Sequence, residues 1–120
     1  MNIQQSINQY INAHLQWIEK LTTAIYGGRI PERNTASVDN ACALGKWIHS
    51  EEDLLYKNAK EFDELREKHR QFHIAVGQII DLVQVGKMDE AKVEMTSGKF
   101  RQLSREVINL LSKLRRSFNK

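Results

Sequence analysis

Apolar side chains at Leu65, Phe72, Val76, Ile79, Ile80 and Val83 recur at helical spacing between about Asn58 and Val85, and His69 and His73 lie on or beside that stripe. The spacing commits the stretch to an amphipathic helix whose apolar face meets a core. Residues four apart on a helix stand one above the other, so the two imidazoles leave the same face and can converge on one ion. An imidazole turned toward a core needs partners for its nitrogens, and a metal ion is one such partner.

The same rhythm recurs on both sides of this helix. From Ile3 to about Tyr26 it runs through Ile7, Tyr10, Ile11, Trp17, Ile18, Leu21 and Ile25, with His14 on the apolar face between Tyr10 and Trp17. Gly27-Gly28 and then Pro31 end it. Asn58 followed by Glu61 resembles a capping box for the histidine helix, which should stop near Gly86. A further helix starts at Met88-Asp89-Glu90-Ala91 and carries Val93, Phe100, Leu103, Val107, Leu110, Leu111, Leu114 and Phe118. Thr96-Ser97-Gly98 is a candidate bend or break in it.

Between the first two helices, Arg29 to Asn40 has no clear period and reads as a loop. Ser37 or Asp39 can cap a short helix over Ala41 to Ile48, in which Leu44, Trp47 and Ile48 are the apolar anchor. Cys42 then falls in the first turn, where unpaired backbone N–H groups favour the thiolate over the thiol. Gly45, with no side chain, would let this backbone press against a neighbouring helix, and Glu51 to Lys57 reads as a linker or fraying turn. The expected fold is all-α: an antiparallel helical bundle of three long helices plus a short helix carrying the cysteine. Residues 1–120 are expected to form this single domain, with nothing left over for an output domain.

Charge and composition narrow the function classes. A net charge of +3, from 18 basic and 15 acidic side chains, is too mild to argue for nucleic acid. Lys113, Arg115, Arg116 and Lys120 read as a solvated helix end that complements the helix dipole. No apolar run reaches membrane-spanning length, and the N-terminus lacks the layout of a secretory signal, so no membrane association and a cytoplasmic location are expected. Cys42 is the single cysteine and cannot form an internal disulfide; in a reducing compartment it is a free thiol or a metal ligand.

Each of these residues alone has an ordinary reading: His14 as a hydrogen-bonded core histidine, Cys42 as a small buried hydrophobe, Trp17 and Trp47 as core. Together, His14, Cys42, His69 and His73 supply three imidazoles and a thiolate, a set that suits tetrahedral Zn²⁺ better than Cu²⁺ or Ni²⁺. His14-Leu15-Gln16-Trp17, Cys42-Ala43-Leu44-Gly45-Lys46-Trp47 and His69-Arg70-Gln71-Phe72-His73 occur in that order and span much of the chain. This arrangement resembles the three-part signature of the chemoreceptor zinc-binding (CZB) domain: His-x-x-aromatic, Cys-x-apolar-Gly-x-aromatic, His-x-x-x-His. The resemblance implies that His14, Cys42, His69 and His73 are the zinc ligands and that Trp17, Leu44, Gly45 and Trp47 pack around them. His49 matches no ligand position.

The resemblance further implies a homodimeric zinc-binding sensor that answers to zinc or, through the zinc-bound Cys42, to an oxidant. Family members regulate attached chemoreceptor signalling regions or diguanylate cyclases. Without an output domain in the chain, such a partner would act in trans. An enzyme is not expected: Arg70 stands where a His-Glu-x-x-His hydrolase carries its general base, and four protein ligands leave no open metal position. Two alternatives stay open, a hemerythrin-like di-iron bundle that binds oxygen and a helical dimerisation module with purely structural zinc.

Overall fold

The computed structural model describes residues 3–51, 56–58 and 60–117. Its helices are α1 (Ile3–Ile25), α2 (Arg33–Ala36), α3 (Ala43–Ile48), α4 (Lys60–Gln84), α5 (Met88–Ser97) and α6 (Lys99–Ser117), with a 3₁₀ turn at Tyr56–Asn58 and no strand among the described residues. The three long helices are α1, α4 and α6, and the molecule measures 48 × 23 × 20 Å.

Helix direction follows from which residues meet. Asn8 reaches Arg115 and His14 reaches Ser104, so α1 and α6 are antiparallel; Lys68 reaches Glu106 and Phe72 stacks on Phe100, so α4 and α6 are antiparallel too. α1 and α4 therefore run the same way, with α3 packed on α1 and α2 packed on α4. Both sharp stops are made by glycine. Gly27 (φ 93°) and Gly86 (φ 82°) take the left-handed conformation, and paired bonds close each end: Gly28 N–H to Thr23 O with Gly27 N–H to Ala24 O, and Lys87 N–H to Leu82 O with Gly86 N–H to Val83 O.

Several boundaries differ from the sequence reading. Within the expected loop, Arg33–Ala36 forms one helical turn, held to α4 by a two-bonded Arg33–Asp81 ion pair of 2.8 and 3.1 Å. α4 begins at Lys60, after a 3₁₀ turn that contains Asn58, and residue 59 lies outside the described residues. The candidate break at Thr96-Ser97-Gly98, by contrast, is where the structure has it, with Gly98 dividing the last segment into α5 and α6. Val93 is exposed rather than core, because α5 turns that face to solvent. Phe118, Lys120 and residues 52–55 of the expected linker lie outside the described residues.

Ile7, Leu21, Leu44, Leu65, Phe72, Ile80, Phe100, Leu111 and Leu114 are fully or almost fully buried and form one core with the histidine face of α4. Phe72 is its pivot: fully buried, it stacks on Phe100 with ring centroids 5.1 Å apart and lies under His14 at 4.2 Å. Phe72→Ala should cost about 3–5 kcal/mol of unfolding free energy, as for other large core truncations. Urea or guanidinium melts read this directly, and a loss below about 1 kcal/mol would mean the core closes over the gap.

Candidate metal centre

Cys42 is the N-cap of α3 and not a first-turn residue: its backbone is extended (φ −84°, ψ 166°), and its sulfur accepts the Gly45 N–H at 3.3 Å. A sulfur in that place does the work usually done by a Ser or Asp oxygen. The glycine is required by the preceding loop and not by a neighbouring helix: a Cβ at Gly45 would lie 1.8 Å from the Asp39 carbonyl oxygen. Leu44 and Trp47 bury α3, and the Trp47 ring stacks on Tyr10 of α1 at 5.1 Å and meets Phe62 of α4 edge-on at 5.6 Å.

Opposite this cap, α4 presents His69 and His73, each about 1 % exposed. Cys42 Sγ lies 3.3 Å from His69 Nε2 and 3.4 Å from His73 Nε2, and the two Nε2 atoms are 3.1 Å apart. A tetrahedral ion with bonds of about 2.0–2.1 Å to nitrogen and 2.3 Å to sulfur separates its ligand atoms by about 3.3 Å (N to N) and 3.6 Å (N to S). The observed triangle is one face of such a tetrahedron, slightly contracted.

Proton positions make the same point. His73 Nδ1 lies 2.8 Å from the Ala36 carbonyl oxygen, which only accepts, so Nδ1 carries the hydrogen and Nε2 turns a bare lone pair to the centre. The sulfur already accepts from Gly45, and His69 Nδ1 is buried with no hydrogen-bond partner among the described residues. Three potential ligand atoms thus crowd one point with only the thiol proton and at most one imidazole proton between them, an arrangement that a cation satisfies once the thiol proton is lost. The donor set therefore fits zinc. Trp17 walls the site, with its ring edge-on to His73 at 5.5 Å.

His14 is buried beside this group but stands outside it. The Cys42, His69 and His73 donor atoms all lie within 4.8 Å of one another, whereas the His14 Nε2 shares a 3.0 Å hydrogen bond with Ser104 Oγ on α6. His49 is half exposed, 3.4 Å from Asp39, and also outside the group. No carboxylate joins the group among the described residues, so nothing in it resembles the bridging acids of a di-iron centre.

Sequence reasoning missed two contributors. The Ala36 carbonyl that fixes His73 leaves no trace in side-chain identity. Gly77 lies against the same segment, since a Cβ there would meet Ser37 Cβ at 2.8 Å. Asp81, Gly77 and His73 step along one face of α4, and Arg33, Ser37 and Ala36 lie over them. Spacing by four from a core histidine was the only available signal for Gly77.

Burial sets the protonation states. It pushes His14 down to about 4 and His69 down to about 3, reinforced for both by the neighbouring His73; His73 is also lowered, against the opposing bond to Ala36. It raises the Cys42 thiol above its ordinary value, because desolvation outweighs the N–H donors of Gly45 and Leu44. The expected thiolate preference of the helix start is overturned, and a metal ion is what would remove this proton. For the metal-free protein the sign of the pH effect is fixed. Unfolded histidines take up protons near pH 6.5 and the folded His14 and His69 only near 4 and 3, so stability is complete above about pH 6.5 and falls as the solution is acidified toward 4. Chelator-treated protein melted at pH 7.5, 6 and 5 should lose stability in that order; equal midpoints would contradict neutral buried imidazoles.

A family model described as the chemoreceptor zinc-binding domain matches residues 14–80, which span all the residues of the centre. Searches of curated proteins and of solved structures returned no significant match. No helix among the described residues is long and apolar enough to cross a membrane. With a Cys/His/His cluster suited to zinc and more than half its length matched, the chain belongs to the chemoreceptor zinc-binding (CZB) domain family.

Proposed function

We propose that this protein is a cytoplasmic zinc-responsive regulatory domain, residues 1–120 acting as one unit, in which His14 completes the set Cys42, His69 and His73. The observation that carries the reading is the triangle of Sγ and two Nε2 atoms at 3.1 to 3.4 Å, with the His73 Nε2 lone pair turned inward. Trp17, Leu44, Gly45 and Trp47 hold that triangle from outside. The domain has no catalytic role; zinc joins α3 to α4 and α1, so metal occupancy changes how tightly the short helix is clamped.

Cys42 is the one anionic and oxidisable ligand, and it is only partly buried, which supports an oxidant as a second input. With a peroxide, the sulfur attacks one oxygen, the O–O bond breaks, hydroxide leaves and a sulfenic acid remains. Three neutral imidazoles then hold the ion more weakly. A homodimer would pass the change in packing to a chemoreceptor or diguanylate cyclase in trans. Elemental mass spectrometry of the purified protein tests the reading. About one zinc per chain, released by stoichiometric peroxide and retained by untreated protein, supports it. Absence of zinc, or two irons per chain, sinks it.

A further inference from the structure

The hydrogen bond between His14 Nε2 and Ser104 Oγ joins α1 to a helix that lies outside the family-matched residues 14–80. Both partners are 3 % exposed, so neither has water as an alternative. Ligand atoms on one zinc lie about 3.3 to 3.6 Å apart. In the pose that Ser104 holds, His14 does not enter the group whose atoms all lie within 4.8 Å of one another. The ring must turn or shift before it can ligate.

The chemistry at Nε2 is exclusive as well. If Ser104 donates, its proton occupies the lone pair a metal would use; if Nε2 donates, the nitrogen carries a hydrogen and has no lone pair to offer. We infer that Ser104 competes with zinc for His14, so that filling the fourth coordination position breaks this hydrogen bond between α1 and α6. This rests on His14 being the fourth ligand and on its binding zinc through Nε2, since a ring bound through Nδ1 would keep its Nε2–H on Ser104. By reciprocity, whatever strengthens the His14–Ser104 contact weakens zinc binding, and α6 is the element through which occupancy is read.

Zinc affinity measured by competition with a chromophoric chelator, on the full chain, tests this in four proteins: wild type, Ser104→Ala, His14→Ala and the double variant. Alanine suits a helix interior, so Ser104→Ala should keep its fold by circular dichroism. The expected result is zinc binding about three- to tenfold tighter in Ser104→Ala, the size of one lost hydrogen bond. His14→Ala should bind more weakly, and in its background Ser104→Ala should change nothing. His14→Gln replaces His14→Ala should that variant unfold. Weaker or unchanged binding in Ser104→Ala, or the same gain with position 14 already altered, overturns the competition while leaving a four-ligand site intact. Unaltered binding in His14→Ala removes the fourth ligand and the competition with it.

Discussion

Cys42→Ser should lower zinc affinity by at least about a hundredfold while leaving the metal-free protein almost as stable as wild type. Replacing partners that merely stand behind a ligand costs 10- to 100-fold, so losing the only anionic ligand sets a larger effect. The two halves of the prediction separate because the sulfur has two tasks. It faces His69 and His73 at 3.3 and 3.4 Å, and it caps α3 by accepting the Gly45 N–H. A serine oxygen caps a helix well but is a poor zinc ligand at neutral pH. Cys42→Ala, which loses both tasks, should lose about 1 kcal/mol more than the serine variant. The measurement is a zinc competition titration beside a denaturant melt in chelator. Unchanged zinc affinity in Cys42→Ser would end the account of the centre given above.

Gly45→Ala is the second large effect, and its sign runs against propensity. Alanine in place of glycine inside a helix is ordinarily worth about 1 kcal/mol in stability. Here the added methyl would lie 1.8 Å from the Asp39 carbonyl oxygen, 2.8 Å from the Asp39 carbonyl carbon and 3.1 Å from Asn40 Cα. All three are backbone atoms, so no side chain can swing away. The segment from Asp39 to Asn40 must move, and it leads directly into Cys42. A net loss of about 1–3 kcal/mol follows, or a melting temperature lower by roughly 3–10 °C. Zinc affinity should fall by about ten- to a hundredfold, because the sulfur is displaced along with the loop. Differential scanning calorimetry with and without zinc reads both numbers. A variant more stable than wild type would show that propensity decides here.

The long helices were legible because their apolar period is unbroken and their ends are marked by Gly27 and Gly86. The meeting of His69 with His73 follows from a spacing of four on one face. The placement of Cys42 against them was less legible. Helix capping by a sulfur looks like no standard signal, and the close approach behind Gly45 comes from the loop before it, which has no periodicity to read. The thiol's raised pKa could not be read at all, since burial and N–H donation pull in opposite directions and only the packed site shows which prevails. His14 sits on the apolar rhythm as expected, but its bond to Ser104 lies 90 residues along the chain. Nothing local marks Ser104 as its partner.

The Ala36 carbonyl gives the centre a tolerance that its side chains do not have. An acceptor supplied by the main chain survives any substitution at position 36 that the buried space admits, so the tautomer of His73 is inherited from the path of the chain. What must persist is the distance from Arg33, fixed on Asp81, to Ser37, fixed over Gly77. Inserting or deleting a single residue there would turn the carbonyl away and silence the histidine without touching a ligand. In this centre, length is under tighter constraint than letters.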